Sequence, residues 1–152
     1  MLHSVFTYGT LQVPEVMAAV TGGWPESEEA MLPGYACYRM KHRIYPGTIP
    51  CDGSFVRGRI YRGIDDLKLQ YLDAFEDVLY QRRLLAVRVH DSTINAHAYI
   101  VADEYRDLLL PEPWHIEEFV SNHLVRYLDS CNRFYQKIST TIKPDAHTSR
   151  MP

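Results

Sequence analysis

The chain lacks the marks of most enzyme and binding classes. Its three cysteines, Cys37, Cys51 and Cys131, are widely spaced and odd in number, with no C-x-x-C among them. That argues against a disulfide framework and fits a reducing compartment. The seven histidines are scattered without HExxH or His-x-His spacing, so no metal site is expected. No run approaches the roughly 18 apolar residues of a membrane span, and no basic flank leads an apolar N-terminal core. The expectation is a cytosolic protein. A formal net charge of −3 gives no reason to expect nucleic acid or an anionic membrane as partner. The short basic clusters Arg57-Gly58-Arg59 and Arg82-Arg83 are interleaved with strand residues and read as solvated sheet faces. There is no G-x-S-x-G elbow, no base beside Cys51, and no glycine-rich nucleotide loop.

What is present suits one globular domain. With 152 residues, 46% hydrophobic and 23% charged, the chain can bury about two thirds of its unfolded surface. Eleven tyrosines fall largely in strand-like segments. Residues 3–8 read as a strand stopped by Gly9. Pro14 opens a helix to Val20, ended by Gly22 and Gly23. A polar stretch, residues 24–30, leads to a Pro33-Gly34 turn and a strand over 35–40. Pro46, Gly47, Pro50 and Gly53 predict an irregular loop, and Phe55–Tyr61 a third strand. Gly58 in that strand suggests a bulge or a close backbone approach.

Asp65 and Asp66 signal a helix to about Glu76 with the stripe Leu67, Tyr71, Leu72, Phe75. Residues 83–90 and 94–101 form a hairpin through 91–93. One long helix is expected from Trp114 to Gln136, with Ile116, Phe119, Val120, Leu124, Tyr127, Leu128, Cys131 and Phe134 on one face. Residues 139–152 read as a frayed tail after a domain spanning 1–138. Strands dominate and hairpin links outnumber crossovers, so the class is α+β with a mixed, mostly antiparallel sheet that could close into a barrel.

Two features could carry chemistry. Glu76 follows an apolar stripe at a helix C-terminus, where the macrodipole disfavours the charged carboxylate and burial would add to that. Such a carboxyl suits general acid–base work near neutral pH; the equal alternative from position alone is a surface pair with Arg82 or Arg83. The turn Tyr8-Gly9-Thr10-Leu11 can offer N–H groups as an anion nest, although a plain β-turn is the commoner form of that pattern. Tyr8, Tyr80 and Tyr99 could orient a ligand, or simply be core tyrosines with satisfied hydroxyls.

Several segments fall in an order that resembles one family. They are Phe6–Leu11, Pro14-Glu15-Val16, Tyr45–Pro50, Val56–Tyr61, Leu72–Glu76 followed by Tyr80-Gln81-Arg82, and Ala98-Tyr99. Together they resemble the γ-glutamylcyclotransferase-like superfamily, in the branch of the plant avirulence-induced proteins and γ-glutamylamine cyclotransferases. The match spans roughly residues 3–101, and the helix from Trp114 to Phe134 is similar to the C-terminal extension of the plant-type members. The resemblance implies a small β-barrel flanked by helices, with the Tyr8–Leu11 loop at the mouth of a cavity and Glu76 inside it. It implies an acyltransferase that closes the glutamyl part of a small γ-glutamyl substrate into 5-oxoproline, releases an amine and uses no cofactor. Glu76 would move the proton, Tyr8, Gly9, Thr10 and Leu11 would hold the glutamyl group, and Tyr99 would face the same cavity. Leu11 follows the γ-glutamylamine and avirulence-induced pattern; enzymes acting on γ-glutamyl amino acids often carry a polar residue there. A binding protein that kept the cavity and lost the reaction is the alternative, as is another reaction such as amide hydrolysis. The product distinguishes them.

Overall fold

The computed structural model describes residues 1–76 and 78–143. Five strands form a closed ring in the order β1-β3-β2-β4-β5. Strand β1 is Leu2–Thr7, β2 Ser27–Arg39, β3 Pro46–Asp65, β4 Tyr80–Val89 and β5 Ser92–Val101. Every pairing is antiparallel except the closure of β5 on β1, through Val5 and His97. Helix α1 is Pro14–Thr21, α2 Asp66–Phe75, α3 Ile116–Asn122 and α4 Leu124–Thr141. This is the α+β, mostly antiparallel architecture that the sequence predicts. Among the described residues no helix is long and apolar enough to cross a membrane, and no group of three or more His, Cys, Asp or Glu side chains could hold a metal ion.

Strand alternation sorts the apolar residues into two cores. Phe6, Leu32, Val56, Ile60, Val87, Ala96, Ala98 and Ile100 point into the ring. Their neighbours Val5, Tyr61, Ile64 and Tyr99 face outward, where Val16, Met17, Val20, Leu69, Leu72, Phe119 and Cys131 cover them. Each of those large side chains contributes roughly 1.5–3 kcal/mol by leaving water. The outward core binds α1, α2 and α4 to the ring, and it sends the side chain of Tyr99 toward α2 rather than into the barrel.

Three expectations about the strands need correction. The region from Pro46 to Gly53 is not a loop but the first part of β3, in which Pro46–Pro50 pair residue by residue with Arg39 to Tyr35. Its prolines are tolerated because β1 pairs only with residues 59–65 of β3, so the far edge of this segment needs no N–H donors. Pro33-Gly34 likewise lies inside β2, where the register shifts and Gly34 and Gly53 both adopt φ +81. The polar stretch before it joins β2 from Ser27 onward.

The single helix expected over 114–136 is two helices, broken at His123 (φ −131°, ψ −18°). Bonds from His123 N–H to Phe119 O and from Tyr127 N–H to His123 O carry the chain across the break. Helix α4 continues past residue 138 to Thr141, and the Tyr71 hydroxyl donates to Ile142 O at 3.1 Å. The helix therefore runs past the boundary expected at residue 138, and the rest of the expected tail, residues 144–152, lies outside the described residues.

The close approach suggested by Gly58 is present. A Cβ there would collide with the Thr7 carbonyl oxygen and come within 2.8 Å of the Phe6 ring. The bulge is elsewhere: the pairing of β1 with β3 shifts between His3 and Val5, beside Gly63 at φ +70. Gly58→Ala must push β1 away from β3 and should cost about 1–3 kcal/mol, the usual range for overpacking. A lowered urea midpoint would report it; an unchanged midpoint would mean that the strands separate freely.

Candidate functional site

The site begins where β1 stops. Thr7 ends the strand, and Tyr8–Leu11 turns into a short 3₁₀ segment, Thr10–Gln12, before Pro14 opens α1. Four bonds fix this turn. The Tyr61 hydroxyl donates to Leu11 O at 2.7 Å, and the Gln12 amide donates to Tyr8 O at 2.6 Å. The Tyr8 hydroxyl reaches across to the carbonyl oxygen of Tyr99. Thr10 Oγ1 donates to the Tyr127 hydroxyl at 3.0 Å, which ties the turn to α4. Gly9 packs so close to Pro46 that a Cβ would lie 3.0 Å from its ring.

The second half comes from α2. Asp65 caps its start by accepting from Lys68 N–H at 2.8 Å. The helix ends at Phe75, and Glu76 takes the C-cap position with extended backbone (φ −70°, ψ 140°), its N–H bonded to Leu72 O at 3.0 Å. That geometry turns the half-buried Glu76 away from the helix axis. Between turn and helix lies a cavity of about 390 Å³ lined by Thr7, Tyr8, Gly9, Thr10, Leu11, Tyr45, Pro46, Ala74, Phe75, Glu76, Val78, Tyr80, Tyr99 and Tyr127. This volume is in the range of small-molecule sites.

All six residues singled out from the sequence, Tyr8, Gly9, Thr10, Leu11, Glu76 and Tyr99, line this one cavity. Tyr80, considered as a pocket tyrosine, lines it too. Tyr45, Phe75, Val78 and Tyr127 were not singled out as site residues. Tyr45 and Phe75 stood within recognisable segments, and Tyr127 was hidden in the apolar stripe of its helix. Its signal was a phenol among aliphatic neighbours.

Among the described lining residues Glu76 carries the only charged side chain, and phenols surround it. Burial above all raises the pKa values of Tyr8, Tyr80, Tyr99 and Tyr127, and the Glu76 charge adds to the effect in each. All four therefore stay protonated near neutral pH. Cys37 and Cys131 offer no nucleophile: burial pushes Cys37 up to about 11 and Cys131 up to about 12.

Tyr99 is held at both ends. Its hydroxyl donates to Asp73 Oδ1 at 2.7 Å, and Arg82 Nε pairs with the same oxygen at 3.0 Å. Arg82 Nη1 lies 3.3 Å from His97 Nδ1, and the His97 ring meets His3 edge-on at 5.2 Å. The sequence suggested Arg82 as a surface partner of Glu76; the guanidinium pairs with Asp73.

A turn, a carboxylate and several phenols around a cavity of small-molecule size, hung on a five-stranded ring, define the class of site. The model of the family "Gamma-glutamyl cyclotransferase, AIG2-like" matches residues 5–116, and the chain belongs to that family. AIG2-like protein D of Arabidopsis thaliana is 32% identical over 141 residues, covering 91% of this chain and 92% of the relative. A solution structure of an Arabidopsis thaliana protein superposes with a TM-score of 0.67 at 25% identity, over 95% of this chain and 86% of that one. A structure described as "Gamma-glutamyl cyclotransferase" matches with a TM-score of 0.62 over 100% of this chain and 94% of that one; at 13% identity it shows the shared fold.

Two measurements follow from the Tyr99 network. In a double-mutant cycle, Asp73→Ala and Tyr99→Phe should couple by about 0.5–1.5 kcal/mol, modest because the Asp73 side chain is 41% exposed. Zero coupling would mean that water replaces the bond. His97 has its pKa lowered from 6.5 by burial first, then by Arg82 and His3. The unfolded chain therefore binds the proton more readily, and stability should fall as pH drops below about 6.5. His97→Gln should flatten that part of the urea-midpoint profile between pH 7.5 and 5.5, and an unaltered profile would remove His97 as its source.

Proposed function

We propose that this chain is a γ-glutamyl cyclotransferase that works without a cofactor, releasing an amine from a γ-glutamyl conjugate and leaving 5-oxoproline. The observation that carries this reading is Glu76, the single carboxylate among the described lining residues, set among phenols opposite the Tyr8–Leu11 turn. The cavity is sized for a glutamyl group and a small leaving amine. Membership of a family whose description names this activity supports the same reading.

The reaction asks little beyond folding the substrate and moving two protons, one after the other. Glu76 takes a proton from the α-ammonium, and the freed amine attacks the γ-carbonyl carbon. The new C–N bond closes a five-membered ring and places negative charge on the carbonyl oxygen. Glu76 then gives the proton to the departing nitrogen, the old C–N bond breaks and the carbonyl reforms; the second proton on the ring nitrogen passes through the Glu76 carboxylate to the released amine, leaving the neutral lactam of 5-oxoproline and an ammonium. Main-chain N–H groups of the Tyr8–Leu11 turn hold the glutamyl oxygens. Leu11, Phe75 and Val78 leave an apolar side for the amine. Because the attack is intramolecular, correct folding of the substrate can supply up to about 7–11 kcal/mol.

Glu76→Gln keeps the side-chain volume and removes the base. It should fold as the wild type does and lose about 10²–10⁴-fold in turnover. The assay is 5-oxoproline by mass spectrometry, with γ-glutamyl amines, γ-glutamyl amino acids and glutathione as substrates. Undiminished turnover in Glu76→Gln would sink the assignment. Free glutamate as product would mean hydrolysis, and a bound but unconverted ligand would mean a binding protein.

A further inference from the structure

We propose that Tyr127 of α4 is a catalytic hydrogen-bond donor of this cavity, its hydroxyl donating to the acyl oxygen of the bound γ-glutamyl group. The assignment rests on the cyclotransferase reading above and adds to it a residue from outside the matched family segment, which ends at residue 116.

The argument is an accounting of phenolic protons. Four phenols feel the charge of Glu76. Tyr8 commits its proton to the Tyr99 carbonyl, Tyr80 to the Pro46 carbonyl and Tyr99 to Asp73. Those three protons hold the wall together. Tyr127 differs, because its oxygen accepts from Thr10 Oγ1 at 3.0 Å. A hydroxyl that accepts still has its own proton to give. Here it has that proton inside a cavity where Glu76 is the only carboxylate among the described lining residues.

Position and protonation suit the role. The Tyr127 ring packs edge-on against Phe119 at 5.1 Å and Phe75 at 6.2 Å, so the hydroxyl is held in place without help from a ligand. Burial above all keeps the phenol protonated. The amine that Glu76 deprotonates attacks the carbon that bears the acyl oxygen, so base and donor must flank one small reacting centre. A donor beside the base does so. The bond it makes strengthens as charge gathers on that oxygen, which makes it a transition-state interaction more than a ground-state one. The accepting bond from Thr10 polarises the phenol and improves it as a donor.

Tyr127→Phe keeps the ring and its contacts, so its melting temperature should stay close to the wild-type value. With the best substrate of the panel, kcat should drop about 10²-fold while KM changes by less than about threefold. Binding of 5-oxoproline, followed by calorimetry, should weaken about tenfold, since the lactam oxygen is the former acyl oxygen. Thr10→Val should give a smaller fall in kcat, of about threefold to tenfold. Wild-type kcat and wild-type 5-oxoproline affinity in Tyr127→Phe, with Glu76→Gln inactive, would overturn this proposal and leave the cyclotransferase reading standing. A wild-type protein that binds 5-oxoproline but converts no conjugate would overturn that reading, and weaker binding by Tyr127→Phe would still support the Tyr127 contact. A protein that neither binds nor converts would overturn both.

Discussion

Phenol-to-carbonyl hydrogen bonds hold the loop on which the site is built. The turn after β1 has little regular structure of its own, and its carbonyls would be costly to bury without donors. Tyr61 supplies one from β3 to Leu11, and Gln12 supplies another to Tyr8. Tyr8 in turn donates to the Tyr99 carbonyl on β5, so the loop is fastened to both of the strands that flank β1. Removing such a donor leaves a buried carbonyl unpaired, at roughly 1–3 kcal/mol. The glycine between them lets the chain pass against Pro46, where a side chain would have no room. Tyr8 does both, fastening the loop and forming the cavity wall together with Tyr45, Tyr80, Tyr99 and Tyr127.

Much of this was legible in the residues, and the failures have physical causes. Helix α2 carried its N-cap and its terminal acid in plain order, and both took their expected places; of its stripe Tyr71, Leu72 and Phe75 pack inward, but Leu69 rather than Leu67 fills the remaining core position. The β4–β5 hairpin read cleanly because its alternation is regular. The first half of β3 did not, because two prolines and two glycines look like breakers when the edge they sit on is unknown. Only the sheet order, with β1 pairing farther along the strand, reveals that those prolines face an edge that needs no donors. The break at His123 has neither glycine nor proline to mark it, and nothing in the local sequence explains it.

Of the site, the loop and the acid were visible as motifs, and Tyr99 through the resemblance. The wall from α4 was not. Tyr127 sits at a helix position that reads as core, and core it is on one side: its ring rests on Phe75 and Phe119. Periodicity reports that a side chain faces inward. It does not report that the hydroxyl at its tip emerges in the cavity that Glu76 lines, bonded to Thr10 more than a hundred residues earlier in the chain. Amphipathic side chains escape pattern reading in this way, because one residue serves two environments.

The composition of the cavity fits the economy of an intramolecular reaction. A hydrolase must bind and activate a water; a cyclisation brings its nucleophile within the substrate, and water in the site is a competitor. Aromatic walls exclude it while keeping hydroxyl dipoles fixed, so the environment can stabilise developing charge without reorganising. In the proposed cyclisation a single carboxylate then suffices, because both protons that leave the α-nitrogen can pass through it in turn to the departing amine. A second charged group would gain little and would have to be desolvated or paired. Asp73 illustrates the alternative: it stands one helical turn before Glu76, but it is neutralised by Arg82 and accepts from Tyr99, and so it serves the wall rather than the reaction. Two acids on one helix end are thus given different work by the partners that each one meets.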